Sequence, residues 1–293
     1  MALLDQTLPR HRYEIVVVDD GSSDGTGGTV ASVASIASAD IRYFRQEKNK
    51  GPAAARNVGI DNARGRVILF IGDDVVATLD LLEEHLTWHE RFPDRNVAVL
   101  GYTTWSTDIP VTPFMRWLED GGPQFKYSTI VDPFNVPWTF FYTSNISAKT
   151  SFLLGAGAFD EDFPYAAYED LELGYRLSRK GLRIVYNRQA VGFHHHYTTI
   201  EDALARMVRV GVSRRIFERK VIGAQRRHQA AASGGLRGGL AELKYSGLRI
   251  LGRVLADRCI VRRLYAYLLD KAQSDGYERT IREESVHDHR AES

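Results

Sequence analysis

The stretch Arg66-Val-Ile-Leu-Phe-Ile-Gly-Asp-Asp-Val-Val-Ala77 contains five consecutive apolar residues, Val67 to Ile71, followed closely by two adjacent carboxylates, Asp73 and Asp74. A continuous β-branched and aromatic run predicts a strand buried on both faces, as in parallel sheets that helices cover. Ligands of such sheets bind outside the carboxyl ends of the strands. A divalent ion there would relieve the repulsion between the two carboxylates. A helix cap is the alternative, because a helical pattern follows the pair.

A second predicted strand that leads to a pair of carboxylates comes earlier in the chain. In Glu14-Ile-Val-Val-Val-Asp-Asp-Gly-Ser-Ser-Asp-Gly-Thr26, four apolar residues lead to a carboxylate pair, Asp19 and Asp20, and then to a turn rich in Gly, Ser and Asp. Strand and helix patterns alternate after it, with a Gly-Pro turn that enters a helix at Pro52. This alternation predicts an α/β fold with a Rossmann-like, mostly parallel sheet flanked by helices.

The segment from Tyr102 to Tyr142 departs from this alternation. Its periodicity fails, and Pro and aromatic residues accumulate, among them Trp105, Phe114 and Trp117. Long irregular segments in compact domains are usually functional, and exposed aromatic faces are surfaces on which sugars stack. Packing of the rings beneath a loop explains any one of them equally well.

Two further groups of polar residues follow this segment. Glu169 and Asp170 open a predicted helix, where the helix dipole favours an ionised carboxylate. A later strand leads to three consecutive histidines at 194–196. Because side chains alternate along an extended segment, His194 and His196 share one face. A solvated or core position is an equally good explanation for each histidine.

The composition limits the classes of function. The 293 residues include one cysteine, Cys259, so no internal disulfide forms, and no Cys/His set has the spacing of structural zinc. The N-terminus has no signal pattern, and no run approaches the roughly 20 apolar residues that span a bilayer. We therefore expect a cytoplasmic protein, in solution or peripheral on the inner face of the membrane, with no nucleic-acid partner.

Charge is unevenly distributed along the chain. Residues 1–200 carry 19 Lys and Arg against 25 Asp and Glu, whereas residues 201–293 carry 19 against 12. Helical patterns are predicted over 200–219 and 240–272, with a linker placed at 216–239. The leucines and arginines of 240–272 fit either a basic helix lying on an anionic membrane or a helix packed on the preceding domain.

Six blocks, in this order, resemble a family-2 glycosyltransferase with the GT-A fold. They are Val-Val-Val-Asp-Asp-Gly-Ser-Ser-Asp-Gly-Thr, Asn-Lys-Gly-Pro-Ala-Ala-Ala-Arg-Asn, Gly-Asp-Asp, Gly-Ala-Phe-Asp-Glu-Asp-Phe, Glu-Asp-Leu-Glu-Leu-Gly-Tyr-Arg-Leu and His-His-His. Each block alone is weakly specific, and together they cover about residues 1–215. The resemblance implies a GT-A domain over 1–215 and leaves 240–293 as a basic, helical C-terminal extension.

The resemblance implies nucleotide-side roles for five residues. Asp19 or Asp20 would meet the nucleotide base, with Asp20 the better match, and Arg56 would also contact the nucleotide. Asp73 would hold the ribose. Asp74 would ligate Mg²⁺ or Mn²⁺ at the diphosphate.

The remaining roles implied by the resemblance concern the acceptor side and the metal. Asp170 matches the catalytic base of the Glu-Asp motif, although chemistry alone does not separate it from Glu169. A histidine of 194–196 matches a further contact to the metal or the diphosphate. We favour His194 as the residue near the metal, with His196 as the alternative on the same face.

The implied enzyme is an inverting, hexosyltransferase-like glycosyltransferase. It would transfer a sugar from a UDP-, GDP- or dTDP-linked donor to a hydroxyl of a glycan or lipid-linked acceptor, as in cell-surface polysaccharide biosynthesis. General chemistry agrees with these roles, because a metal ion stabilises the diphosphate as its charge grows. A single displacement assisted by one base inverts the anomeric carbon.

The sequence departs from the family's pattern in two places. The chain starts within the helix that usually follows the first strand, at Ala2-Leu-Leu-Asp-Gln6, so we expect that strand to be missing and a sheet edge to be unpaired. Gly72 stands where many members have an Asp. The missing strand suggests an alternative function, a truncated, non-catalytic remnant that binds a nucleotide sugar or a glycan. A dinucleotide oxidoreductase is disfavoured, because no Gly-x-Gly-x-x-Gly follows either strand.

Overall fold

The first carboxylate-tipped strand lies in a small sheet of its own. In the computed structural model, which describes residues 2–37, 39–222 and 258–291, strand β1 (Glu14–Asp19) pairs in parallel with β2 (Asp40–Arg45). Helix α1 (Thr26–Ile36) connects the two strands. Helix α2 (Pro52–Asn62) follows, and begins at the proline predicted to start it.

The other strands form a five-stranded sheet. They are β3 (Val67–Ile71), β4 (Val75–Ala77), β5 (Val97–Trp105), β6 (Asn145–Lys149) and β7 (Arg183–His194). Their order across the sheet is β3-β6-β5-β7-β4. The helices that accompany these strands are α3 (Leu81–Arg91), α4 (Pro113–Glu119), α5 (Thr150–Ala156) and α6 (Glu169–Ser178).

The α/β class predicted from the sequence is confirmed, but the strand pairings are mixed rather than mostly parallel. In the larger sheet β5 pairs in parallel with β7, while β3 with β6, β5 with β6, and β4 with β7 pair antiparallel. The irregular segment after β5 returns the chain to the end of the sheet at which β5 finishes. Strand β6 therefore runs back beside β5 in the opposite direction.

Strand β3 is less buried than its apolar run predicts. Phe70 is buried, with 8% of its surface exposed, and the other four residues of the strand are partly exposed. The physical reason is position, because β3 is the outermost strand of the five-stranded sheet and pairs only with β6 within it. That a preceding strand is missing from this edge stays a prediction.

The main core lies between the sheet and the helices that lead to the predicted acid pair. It joins β5, β6, α5 and α6 through the buried side chains of Leu100, Ile146, Phe152, Leu173 and Leu177. This packing fixes the start of α6 relative to the sheet.

The irregular segment contributes to a second core. Trp105, Phe114 and Trp117 are buried together with residues of the C-terminal helices, and the Trp105 indole donates to the carbonyl of Met115 over 2.9 Å. For these three aromatic residues, packing is therefore the explanation that the structure supports.

Two long helices complete the described structure. Helix α7 (Ile200–Phe217) begins at a reciprocal capping box between Thr199 and Asp202 and continues into a π-helical turn over Glu218–Ile222. Helix α8 (Arg258–Ala291) packs along it. None of the helices described is long and apolar enough to cross a membrane.

The predicted helix over 240–272 is only partly described. Residues 240–257 lie outside the described residues, as do 223–239 of the predicted linker, and 258–272 form the start of α8. Leu269 is buried there, whereas Val261, Leu264 and Tyr267 are exposed. The domain boundaries and the contact of 240–272 with a membrane surface stay predictions.

Candidate active site

The turn after β3 brings Asp74 to the end of β7. Because β4 pairs antiparallel with β7, with Val75 opposite His194, the preceding residue lies beside the histidines. The Nε2 atom of His194 is 3.0 Å from Oδ2 of Asp74, and the backbone N–H of His195 donates to the Asp74 carbonyl over 2.7 Å. The side chain of Asp73, next to this pair, is exposed.

His194 is enclosed by aromatic rings. Its ring centroid lies 5.1 Å from that of Trp105 and 6.1 Å from that of Phe125. His196 stacks on it at 5.6 Å and places its Nδ1 atom 3.9 Å from Oδ2 of Asp74. Among the described residues the buried Nδ1 of His194 has no hydrogen-bond partner. A buried polar atom of this kind marks a place where a water, an ion or a ligand supplies the missing contact.

The histidines keep Asp74 ionised. Burial alone would raise the pKa of this carboxyl, but the hydrogen bond from His194 and the charges of His194 and His196 outweigh it, so the pKa is lowered. Gly72 leaves room for the same carboxylate, since a Cβ at that position would lie 2.8 Å from Oδ1 of Asp74. The glycine that departs from the family's pattern is thus compatible with the position of Asp74.

Asp74 and His194 fit two of the positions around a divalent ion. When Nε2 carries no proton, its 3.0 Å separation from Oδ2 matches the distance between neighbouring ligands of an octahedral ion that holds each ligand at about 2.1 Å. Within the described ranges no three His, Cys, Asp or Glu side chains gather into a potential metal site. The pair therefore suits an ion that takes its other ligands from water and phosphate oxygens, as Mg²⁺ commonly does.

The predicted acid pair lies at the start of α6. Its first residue, Glu169, is buried, and its Oε1 atom accepts a hydrogen bond from Nη1 of Arg56 over 2.6 Å. Oε2 of the same residue is buried without a partner among the residues described. Tyr168, directly before the helix, has a φ of 67°, which is unusual for a residue with a side chain and is typical of functional sites.

The pKa of Asp170 is suited to a general base. Burial, followed by the negative charge of Glu169, raises its pKa to about 7, against the opposing charges of Arg56 and Arg206 and a hydrogen bond from the Leu171 N–H. A general base is most effective when its pKa lies near the working pH. The two acids of the motif thus differ, because Glu169 is held by Arg56, whereas no arginine among the described residues is hydrogen bonded to Asp170.

Two residues near Asp170 were missed by sequence reasoning. Arg206, on α7, interacts electrostatically with both acids, and the charge of Asp170 adds to the effect of burial in raising the pKa of Tyr142. No local signal separates Arg206 from the other arginines of its helix. Tyr142 ends the irregular segment, where sequence reasoning found no pattern to select one aromatic residue.

Aromatic contacts connect the acid pair to the Asp74 cluster. The ring of Tyr142, close to Asp170, lies 6.0 Å from Phe125, and Phe125 lies 6.1 Å from His194. The carboxyl ends of the strands and the start of α6 are therefore joined by two neighbouring rings.

The carboxylates after β1 are held by the protein itself. Asp19 is buried and accepts hydrogen bonds from the Tyr43 hydroxyl and from the backbone N–H of Ser22, and these contacts lower its pKa to about 2. Asp20 accepts from the backbone N–H groups of Lys50 and Gly51, both over 2.8 Å. The two carboxylates hold the loop after β1 and the loop before α2, and contact of either carboxylate with a nucleotide base stays a prediction.

The fold is that of the GT-A glycosyltransferases. The chain superposes on the mannosyltransferase PcManGT from Pyrobaculum calidifontis, solved in complex with GDP-Man and Mn²⁺, with a TM-score of 0.64 and 17% identity, covering 96% of this chain and 81% of that one. At this identity the likeness shows the fold alone. Residues 2–142 match the model of the family described as Glycosyl transferase family 2.

Curated relatives of the chain are named as glycosyltransferases. The chain is 27% identical over 236 residues to YfnE, an uncharacterized glycosyltransferase of Bacillus subtilis strain 168, with 66% of this chain and 60% of the relative covered. It is 28% identical over 232 residues to a validoxylamine A glucosyltransferase of Streptomyces hygroscopicus subsp. jinggangensis, with 69% and 52% covered. The chain thus spans between half and two thirds of the length of these relatives.

Proposed function

We propose that the protein transfers a sugar from a nucleoside-diphosphate sugar to an acceptor hydroxyl, with inversion and with the help of a divalent metal ion. The observation that carries the proposal is the pairing of Asp74 with His194 at 3.0 Å, connected through two aromatic rings to a carboxyl whose pKa is raised. The match of residues 2–142 to the family-2 model and the names of the relatives support sugar transfer.

On the donor side, Asp74 and His194 would hold Mg²⁺ or Mn²⁺, with His196 adjacent. A divalent ion bound there supplies positive charge to the diphosphate, which gains negative charge as it leaves. Asp73, exposed beside the pair, is free to accept hydrogen bonds from the ribose hydroxyls. Arg56 and the loops held by Asp19 and Asp20 would contact the nucleotide of the donor.

On the acceptor side, Asp170 accepts the proton of the attacking hydroxyl. The new bond forms between that oxygen and the anomeric carbon while the bond from this carbon to the diphosphate oxygen breaks. One displacement of this kind inverts the anomeric centre, and the proton remains on the Asp170 carboxyl until solvent removes it. Burial and Glu169 favour the protonated product form of Asp170, and so increase its strength as a base.

A thermal-shift panel of UDP-, GDP- and dTDP-sugars, each with and without Mn²⁺, tests the donor site. We expect one donor to stabilise the wild-type protein in a metal-dependent way, since a ligand that binds only the folded state raises its stability. Asp74→Asn should lose this response, and Asp61→Asn, at an exposed carboxylate of α2, should keep it. No response to any donor, or an unchanged response in Asp74→Asn, would contradict the proposal.

The alternative is a non-catalytic remnant that binds a nucleotide sugar or a glycan. Such a protein would respond to a donor in the same panel but would form no product with any acceptor. The acid pair favours the enzyme, because a carboxyl whose pKa is raised to about 7 suits proton transfer near neutral pH.

A further inference from the structure

A cavity of about 760 Å³ lies between β5, β7 and the irregular segment. Aromatic side chains line it, and they come from both the strands and the segment: Tyr102, Phe125, Tyr127 and Tyr186. The rings of Tyr127 and Tyr186 are stacked, with centroids 5.5 Å apart and planes 16° apart. None of the residues assigned above to the metal, the nucleotide or the catalytic base is among its lining residues.

The charged groups of the cavity are mainly acidic. Glu119 and Asp120, at the end of α4, line it together with Arg188 of β7. Glu119 accepts a hydrogen bond from the Tyr102 hydroxyl over 3.2 Å, and the guanidinium of Arg188 lies 5.8 Å from the centre of the Tyr102 ring. Asp120 and Arg188 are exposed. Two carboxylates against one guanidinium give the cavity a net negative charge.

Phe125 joins this cavity to the candidate active site. It lines the cavity and also contacts His194, with ring centroids 6.1 Å apart. Its φ is 46°, a conformation that residues with a side chain rarely adopt. The carbonyl of this residue accepts a hydrogen bond from the N–H of Tyr127, which helps to hold the strained turn. Backbone strain of this kind is found preferentially where a ligand is bound.

We propose that this cavity binds a saccharide unit of the acceptor, and that this unit is uncharged or bears an amine. Aromatic rings offer flat apolar faces to the C–H groups of a sugar, while the carboxylates and the guanidinium offer acceptors and donors to its hydroxyls. The net negative charge disfavours a sugar acid or a phosphorylated unit. The inference rests on the proposed sugar transfer, because it takes the neighbouring site to be the place where the acceptor reacts.

Saturation-transfer NMR on the full chain tests the cavity with three probes: methyl β-D-glucopyranoside, D-glucosamine and D-glucuronate. We expect binding of at least one of the first two and none of the third. The double variant Glu119→Gln with Asp120→Asn should weaken the binding about tenfold, as expected for the loss of a hydrogen bond to a charged group. Asp108→Asn, at an exposed carboxylate outside the cavity, should bind as the wild type does.

Three results would overturn the inference: no binding of the two favoured probes, preferential binding of D-glucuronate, or equal binding by the double variant and the wild type. The metal-dependent response to a donor, measured in the same double variant, separates this inference from the proposed function. That response should be unchanged. If it persists while the sugars fail to bind, the cavity inference alone fails. If the sugars bind but no donor stabilises the wild type, the proposed function fails instead.

Discussion

Arg56 of α2 donates from Nη1 to Oε1 of Glu169, the first residue of α6, across 2.6 Å and a sequence separation of 113 residues. The guanidinium also lies over the ring of Phe159, 5.4 Å from its centre. Helix α2 is thereby fixed to α6, the helix that carries Asp170. The contact therefore connects a residue proposed to meet the nucleotide with the acid pair that contains the proposed base.

Removing this ion pair should destabilise the fold. Arg56→Gln leaves the carboxylate of Glu169, 2% exposed, without its charged hydrogen-bond donor, and breaking a buried ion pair by removing one partner costs about 3–5 kcal/mol. Arg64→Gln is the matched control, because its pair with Asp40 is exposed on both sides and should contribute less than about 1 kcal/mol. Urea denaturation measures both losses. Equal losses of unfolding free energy in the two variants would show that the buried pair stabilises the fold no more than the exposed pair does.

The pH dependence of the reaction should report Asp170. Because its pKa is raised to about 7, the base is increasingly protonated below that pH, and kcat/KM should fall as pH decreases through about 7. Glu169→Gln removes one cause of the raised pKa, so the acid limb of the profile should move to lower pH. A limb that stays in place in Glu169→Gln would contradict the assignment of Asp170 as the titrating group.

Asp170 should also make the stability of the folded protein depend on pH. Its pKa is higher in the folded protein than the ordinary value of 3.8, so the folded state binds more protons between that value and about 7. Stability should therefore fall as pH rises through this window. Asp170→Asn should remove this contribution, which unfolding measurements at several pH values would detect.

The sequence predicted the elements that depend on local pattern. The apolar run of β3 and the proline at the start of α2 have the expected bounds, because a continuous β-branched run and a Pro at the first helical turn leave few alternatives. The placement of Asp74 after a strand follows from the same pattern. Its pairing with His194, 120 residues later, depends on the antiparallel register of β4 and β7, which no local pattern determines.

Long-range contacts account for what could not be predicted. His85 and His89 lie in a charge-rich helix pattern, yet both are buried and hydrogen bonded to Ser147 of β6 over 2.8 and 2.9 Å. Burial lowers the pKa of His85 to about 4. The partner strand enters the sheet only after the irregular segment, so the polar environment of these histidines is set by tertiary packing.

The crossing of α7 and α8 should depend on Gly211 of α7 and Gly276 of α8, where each helix approaches the backbone of the other. A Cβ at Gly211 would lie 2.0 Å from the carbonyl oxygen of Gln273, so Gly211→Ala should separate the helices and cost about 1–3 kcal/mol, as overpacking usually does. Gly28→Ala is the control, because a Cβ there meets nothing within 4 Å in α1. The control should be neutral or stabilise by about 0.5–1 kcal/mol. Thermal unfolding distinguishes the two, and a neutral Gly211→Ala would contradict the close crossing.

Turnover by Asp170→Asn tests the central claim most directly. It would be measured as release of nucleoside diphosphate from the donor that stabilises the wild type, against a panel of glycan acceptors. Loss of the base should lower kcat by about 10²–10⁴, while the metal-dependent thermal shift by the donor should remain, since the rings of Tyr142 and Phe125 lie between Asp170 and His194. Wild-type turnover in Asp170→Asn would contradict the assignment of the base and the mechanism built on it.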